Sequence, residues 1–107
     1  MKGILLIGSD KIGEVTFSII DESMGAIGGE LTAYDNYQKY KPAIQLHCDK
    51  RGISNVDDFD YRILLASDFE LKPEGGIGVT DLSGFDQIYV EVGGVDHAII
   101  NKIKNAL

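Results

Sequence analysis

Tryptophan is absent from this chain, cysteine occurs once and proline twice in 107 residues. A lone cysteine, Cys48, cannot form an internal disulfide, so the fold requires no oxidising compartment and the cytosol is the expected location. No apolar run approaches the roughly 20 residues of a membrane span. The run Ile4-Leu5-Leu6-Ile7 also falls short of the apolar region of a signal peptide, which needs about 7–15 residues. Cations are missing from one region above all. From Asp57 to Asp96 stand ten carboxylates (Asp57, Asp58, Asp60, Asp68, Glu70, Glu74, Asp81, Asp86, Glu91 and Asp96), opposed only by Arg62 and Lys72, which leaves −8 in those 40 residues. The other 67 residues carry seven acids and eight bases, or +1, within a total of −7. So one-sided a field repels polyanions and attracts partners of opposite sign. It argues against nucleic acid and anionic membrane, and for a basic partner or plain solubility.

What is present is ordinary globular composition, 44% hydrophobic and 25% charged, in a length that suits a single domain over residues 1–107 with its own core. Ile4–Ile7 reads as a strand covered on both faces, and Asp10-Lys11-Ile12-Gly13 as a turn. Glu14–Ile20 alternates, with Val15, Phe17 and Ile19 on the inner face, and should pair with the first strand as a hairpin. Ala26–Ala33 reads as a third strand. Its Gly28-Gly29 pair implies a bulge or a close backbone approach.

Tyr34–Arg51 changes period: Tyr37, Tyr40, Ile44 and Cys48 recur at helical spacing. Asp35 is the expected N-cap, and Gly52 the expected stop. Pro42 requires either a kink or a fresh helix start. Phe59–Leu65 alternates again, with Asp58, Asp60 and Arg62 outward, and Phe69 and Leu71 extend that strand past an interruption. Lys72–Gly76 is a turn. Ile77–Thr80 and Gln87–Val92 are strands, the latter with Tyr89 and Glu91 opposite Ile88, Val90 and Val92. Asp96 caps a terminal helix carrying Ile99, Ile100, Ile103 and Leu107. The order β-β-β-α-β-β-β-α implies an α+β fold with a mainly antiparallel sheet and one or two helices packed on it.

No catalytic motif emerges. His47-Cys48-Asp49 are neighbours that splay apart on a helix, so they cannot converge on one ion, and zinc-type spacing is absent. Cys48 could pair with a histidine as a nucleophile only if His97 reached it; it reads instead as a small core residue. Asp57, Asp58 and Asp60 begin like a calcium loop, but counting from Asp58 the sixth position is Ile63 and the twelfth Phe69, where Gly and Glu are needed. The Gly-rich segments at Met24–Gly29 and Gly75–Gly78 lack the spacing, the following helix and the lysine of phosphate loops. No cofactor or metal is expected.

The chain resembles the small acidic immunity proteins of bacterial polymorphic toxin systems, including contact-dependent growth inhibition. The resemblance lies in its short, acidic α+β character, and in the segments Asp21-Glu22-Ser23-Met24-Gly25-Ala26-Ile27-Gly28-Gly29 and Gly75-Gly76-Ile77-Gly78-Val79. It implies a non-enzymatic, cytoplasmic protein that neutralises a basic toxin domain, most often a nuclease, in a tight complex. The residues expected to meet that partner are Asp57, Asp58, Asp60, Asp68, Glu70, Tyr89 and Glu91. The rival reading is a small enzyme or ligand-binding domain with a pocket near the Gly-rich turns.

Overall fold

The computed structural model describes residues 1–65 and 69–105. Among these, strand β1 (Lys2–Ile7) turns through Gly8-Ser9 into β2 (Asp10–Thr16), pairing from Ile7 opposite Asp10 to Lys2 opposite Thr16. The turn therefore lies two residues earlier than the sequence suggests. Asp10 to Gly13 is already strand, and Ile12 is fully buried. The chain then bends at Phe17 and continues as β3 (Ser18–Asp21). The expected single strand Glu14–Ile20 is thus broken, because Phe17 is drawn into the core while β2 and β3 follow different stretches of one partner, β4 (Ala26–Ala33). Ile19 is consequently only half-buried.

A 3-10 helix (Asp35–Lys39) leads into α1 (Lys41–Arg51). Pro42 sits in the first turn of α1, where its missing N–H leaves no intrahelical bond unmade, so it marks a fresh start and not a kink. Asp35 caps nothing: Tyr34 occupies the cap position without a side-chain bond. Asp35 instead begins the 3-10 helix, and the Asp10 carboxylate ties that helix to β2 by accepting from Asn36 Nδ2 (2.9 Å) and Tyr40 Oη (2.8 Å). Gly52, at φ 85°, ends α1 in the left-handed conformation that suits glycine.

β5 (Ser54–Asn55), β6 (Tyr61–Leu65), β7 (Phe69–Leu71), β8 (Ile77–Thr80), β9 (Tyr89–Val92) and α2 (His97–Asn105) follow. β7 does not extend β6. It folds back on it, with Leu65 opposite Phe69 and Ile63 opposite Leu71. The sheet runs β5-β8-β9-β4-β2-β1-β6-β7, with β3 continuing β2 along β4, and every pairing is antiparallel. This is the expected α+β class, in a curled sheet.

The inner face gathers Leu5, Ile12, Val15, Phe17, Ile27, Leu31, Ile63, Leu65, Val79, Val90 and Val92, with Ile44 and Cys48 of α1 and Ile100 and Ile103 of α2 joining the same cluster. Truncating one such side chain costs about 2–5 kcal/mol, through lost burial and the cavity left behind. Asp96 caps α2 as expected, its carboxylate accepting from Ala98 N–H at 2.9 Å. Leu107 lies outside the described residues.

Candidate functional site

The nine described carboxylates from Asp57 to Asp96 fall into two groups. Four are occupied by the fold. Asp81 is fully buried, which its parity with Ile77 and Val79 on β8 explains. Tyr37 Oη donates to its Oδ2 at 2.7 Å and Gln45 Nε2 to its Oδ1 at 3.1 Å. Burial, and then this bond to Asp81, raise the Tyr37 phenol well above its ordinary range. Asp96 is the α2 cap.

Asp58 was expected outward on a strand. It lies instead in the turn after β5, and its carboxylate is folded inward with a side chain only 7% exposed. It accepts from Asn55 N–H and Ser54 Oγ, each at 3.1 Å, and from the Arg51 guanidinium. His47 Nδ1 stands 3.5 Å away. Burial pushes its pKa up, but the bonds from Asn55, Arg51 and Ser54 outweigh that and hold it below the usual carboxylate value. Glu70 is likewise taken. Arg62 donates to it through Nε at 3.2 Å and through a second guanidinium nitrogen, and Lys72 stands 3.7 Å away. The Arg62 bonds hold its pKa low.

Five others, Asp57, Asp60, Glu74, Asp86 and Glu91, are exposed and form no ion pair among the described residues. Asp68, the remaining acid and one of the expected contact residues, lies outside the described residues.

Tyr89 and Glu91 do face outward from β9, as the alternation requires. Pairing with β4 and β8 sets Tyr89 between Glu30 and Thr80, and Glu91 between Gly28 and Gly78. Asn55 of β5 completes the second row beside Gly78. Glycine flanks Glu91 on both neighbouring strands, and the furrow that crosses the outer face there is filled over Gly28 by Ile20 and Tyr89 Oη and over Gly78 by Ile53. A Cβ at Gly28 would lie 2.6 Å from Ile20 Cδ1 and 2.9 Å from Tyr89 Oη, and one at Gly78 would collide with Ile53. At Gly28 the Val90 carbonyl oxygen, also 2.9 Å from that position, makes the close approach one of backbone, whereas at Gly78 the neighbour is the movable end of Ile53.

The furrow opens into a groove of about 490 Å³, walled by Ile20, Ile53 and Val56, floored by Gly76 and Gly78, and holding Glu91 and Asp57. A second groove of about 460 Å³, sharing Val56 and Gly76 with the first, holds Asp60 and Glu70 together with Arg62 and Lys72. The structure thus brings Asp57 to Glu91 and Asp60 to Glu70, and withdraws Asp58 from the surface. Sequence reasoning missed Ile20, Ile53, Val56 and Glu30. Their assembly depends on the long-range pairing of β3, β4, β8 and β9, for which no local signal exists.

The first groove does lie at the Gly-rich turns, where the rival reading placed a pocket. Its polar side chains are Asn55, Asp57 and Glu91, with no serine, cysteine or histidine lining it among the described residues. Cys48 is buried elsewhere, donating to Val79 O and accepting from Asp81 N–H, both at 3.3 Å, and burial raises its pKa away from the reactive thiolate. His97 begins α2, exposed to solvent. Among the described residues no three His, Cys, Asp or Glu side chains are placed to hold a metal ion, and no helix is long and apolar enough to cross a membrane. No family model, no curated protein and no solved structure matches the chain.

Proposed function

We propose that this chain is a non-enzymatic, cytoplasmic binding protein that neutralises a basic toxin domain, most plausibly a nuclease, in the manner of the small immunity proteins it resembles. The observation that carries the reading is the division of its acids. Five carboxylates of the acidic half are exposed and form no ion pair among the described residues, and one of them, Glu91, shares an outer sheet face with Tyr89. Unanswered surface carboxylates raise the encounter rate with a cationic surface and suppress anionic competitors. Tyrosine supplies large contact area at low entropic cost. The set that would meet the partner is Asp57, Asp60, Tyr89 and Glu91. Asp58 and Glu70 are committed to Arg51 and Arg62.

The test is capture of partners from a lysate of the source organism at low salt, elution by salt and identification by mass spectrometry. The expected product is a basic protein whose toxic activity is abolished by one equivalent of this chain. Captured proteins that are neutral or acidic, or a basic one whose activity this chain leaves untouched, would overturn the reading.

A further inference from the structure

On the reading that the chain grips a basic protein, we propose that the groove beside Glu91 is the seat of one arginine side chain presented by that partner. The groove holds two carboxylates, Glu91 and Asp57, and no cation. The adjoining groove differs in this respect: Arg62 and Lys72 already stand against Glu70 within it. An incoming cation would have to displace them there, whereas in the first groove it meets carboxylates that no side chain answers among the described residues.

Shape narrows the occupant further. Over Gly28 and Gly78, which flank Glu91, lie the side chains of Ile20 and Ile53, and Ile20 and Val56 are both half-exposed in the lining of the groove. The trough therefore has apolar walls and a charged centre. A side chain that fits it has an apolar stem and a cationic end. Lysine and arginine both have such a stem. Arginine has in addition a planar, weakly hydrated head that packs on apolar surface and forks onto carboxylates through two parallel hydrogen bonds. Anionic ligands are opposed by both carboxylates, and a purely apolar residue would bury them unpaired.

The experiment is a titration of isotope-labelled full-length protein with a blocked hexa-arginine peptide at low salt, followed through amide chemical shifts. Shifts should concentrate at Gly75–Gly78 and Glu91–Gly93. Glu91→Gln should weaken binding about ten-fold, by removing a charge-assisted bond. Asp86→Asn, which removes the same charge from an exposed position outside the groove, should change it less than two-fold, roughly the scale of screened surface charge. Gly78→Ala keeps every charge but puts a methyl into the space of Ile53, which lines the groove, and it too should weaken binding. A hexa-lysine peptide should bind more weakly than hexa-arginine. Equal losses for Glu91→Gln and Asp86→Asn, or shifts centred away from the groove, would overturn the arginine seat while leaving the basic-partner reading intact. Absence of any binding at low salt would overturn both.

Discussion

Asp81, one residue past β8 beneath α1, and Glu91, on the outer face of the neighbouring strand β9, lie ten residues apart, and they show how differently one fold treats its acids. On the inner side every buried polar side chain is answered. Tyr37 and Gln45 reach Asp81, and Ser54 and Tyr61 share a hydrogen bond of 2.9 Å. Arg51, Ser54 and the Asn55 N–H meet Asp58. Among the described residues no buried side-chain nitrogen or oxygen lacks a partner. On the outer side Glu91 and Asp57 stand beside glycines and aliphatic side chains, with no cation lining their groove. The inner network satisfies itself and so serves the fold. Among the described residues no cation meets the outer charges, which leaves them to solvent or to another molecule.

Several substitutions can break this contrast, and the largest effect belongs to the inner side. Asp81→Ala removes the acceptor of two donors, Tyr37 and Gln45, and should lower unfolding free energy by about 3 kcal/mol, since each buried group left unsatisfied costs about 1–3 kcal/mol. Denaturant unfolding measures it, and a loss under about 0.5 kcal/mol would place Asp81 with ordinary surface residues.

Asp58→Asn should come next. The folded pKa of Asp58 lies below its unfolded value, so its contribution is complete above about pH 4 and is lost as pH falls through the lower folded value. Asp58→Asn should therefore be less stable than wild type at neutral pH and lose less on acidification. Denaturation midpoints at neutral and acid pH check both signs. Cys48 sharpens the contrast kinetically. Buried, and with its pKa raised by that burial, it should react slowly with a thiol reagent in the native protein and quickly in denaturant. Fast native labelling would mean that the inner side is open. The smallest effect is expected outside: Asp57→Asn with Glu91→Gln should leave the melting midpoint nearly unchanged, within about 0.5 kcal/mol of stability.

Much of the fold was legible because alternation and helical spacing are local. The strand faces of Val15, Ile63 and Val90, the stop at Gly52 and the cap at Asp96 all follow from residues within a turn or two. The fresh start at Pro42 was one of two readings the sequence allowed. The break at Phe17 and the fold-back of β7 were not legible, because each depends on which distant strand is chosen as partner.

The same limit governs the site. Composition counts carboxylates, but only tertiary structure decides which are answered. Arg51 meets Asp58 through a turn, and Arg62 meets Glu70 across a hairpin, so two expected contact residues are internally paired. Asp81 could have been found, since it continues the inward parity of Ile77 and Val79. The glycine furrow could not, because Gly28, Glu91 and Gly78 are neighbours only across strands.

The most direct test of the contrast is the affinity of the captured basic partner for wild type, for Asp57→Asn with Glu91→Gln, and for Arg62→Gln with Glu70→Gln, each at low and high salt. The outer pair should lose at least about ten-fold in affinity, mainly through faster dissociation, while the internally paired variant stays near wild type and added salt weakens all three. Equal affinity for the three proteins at both salt concentrations would contradict the account.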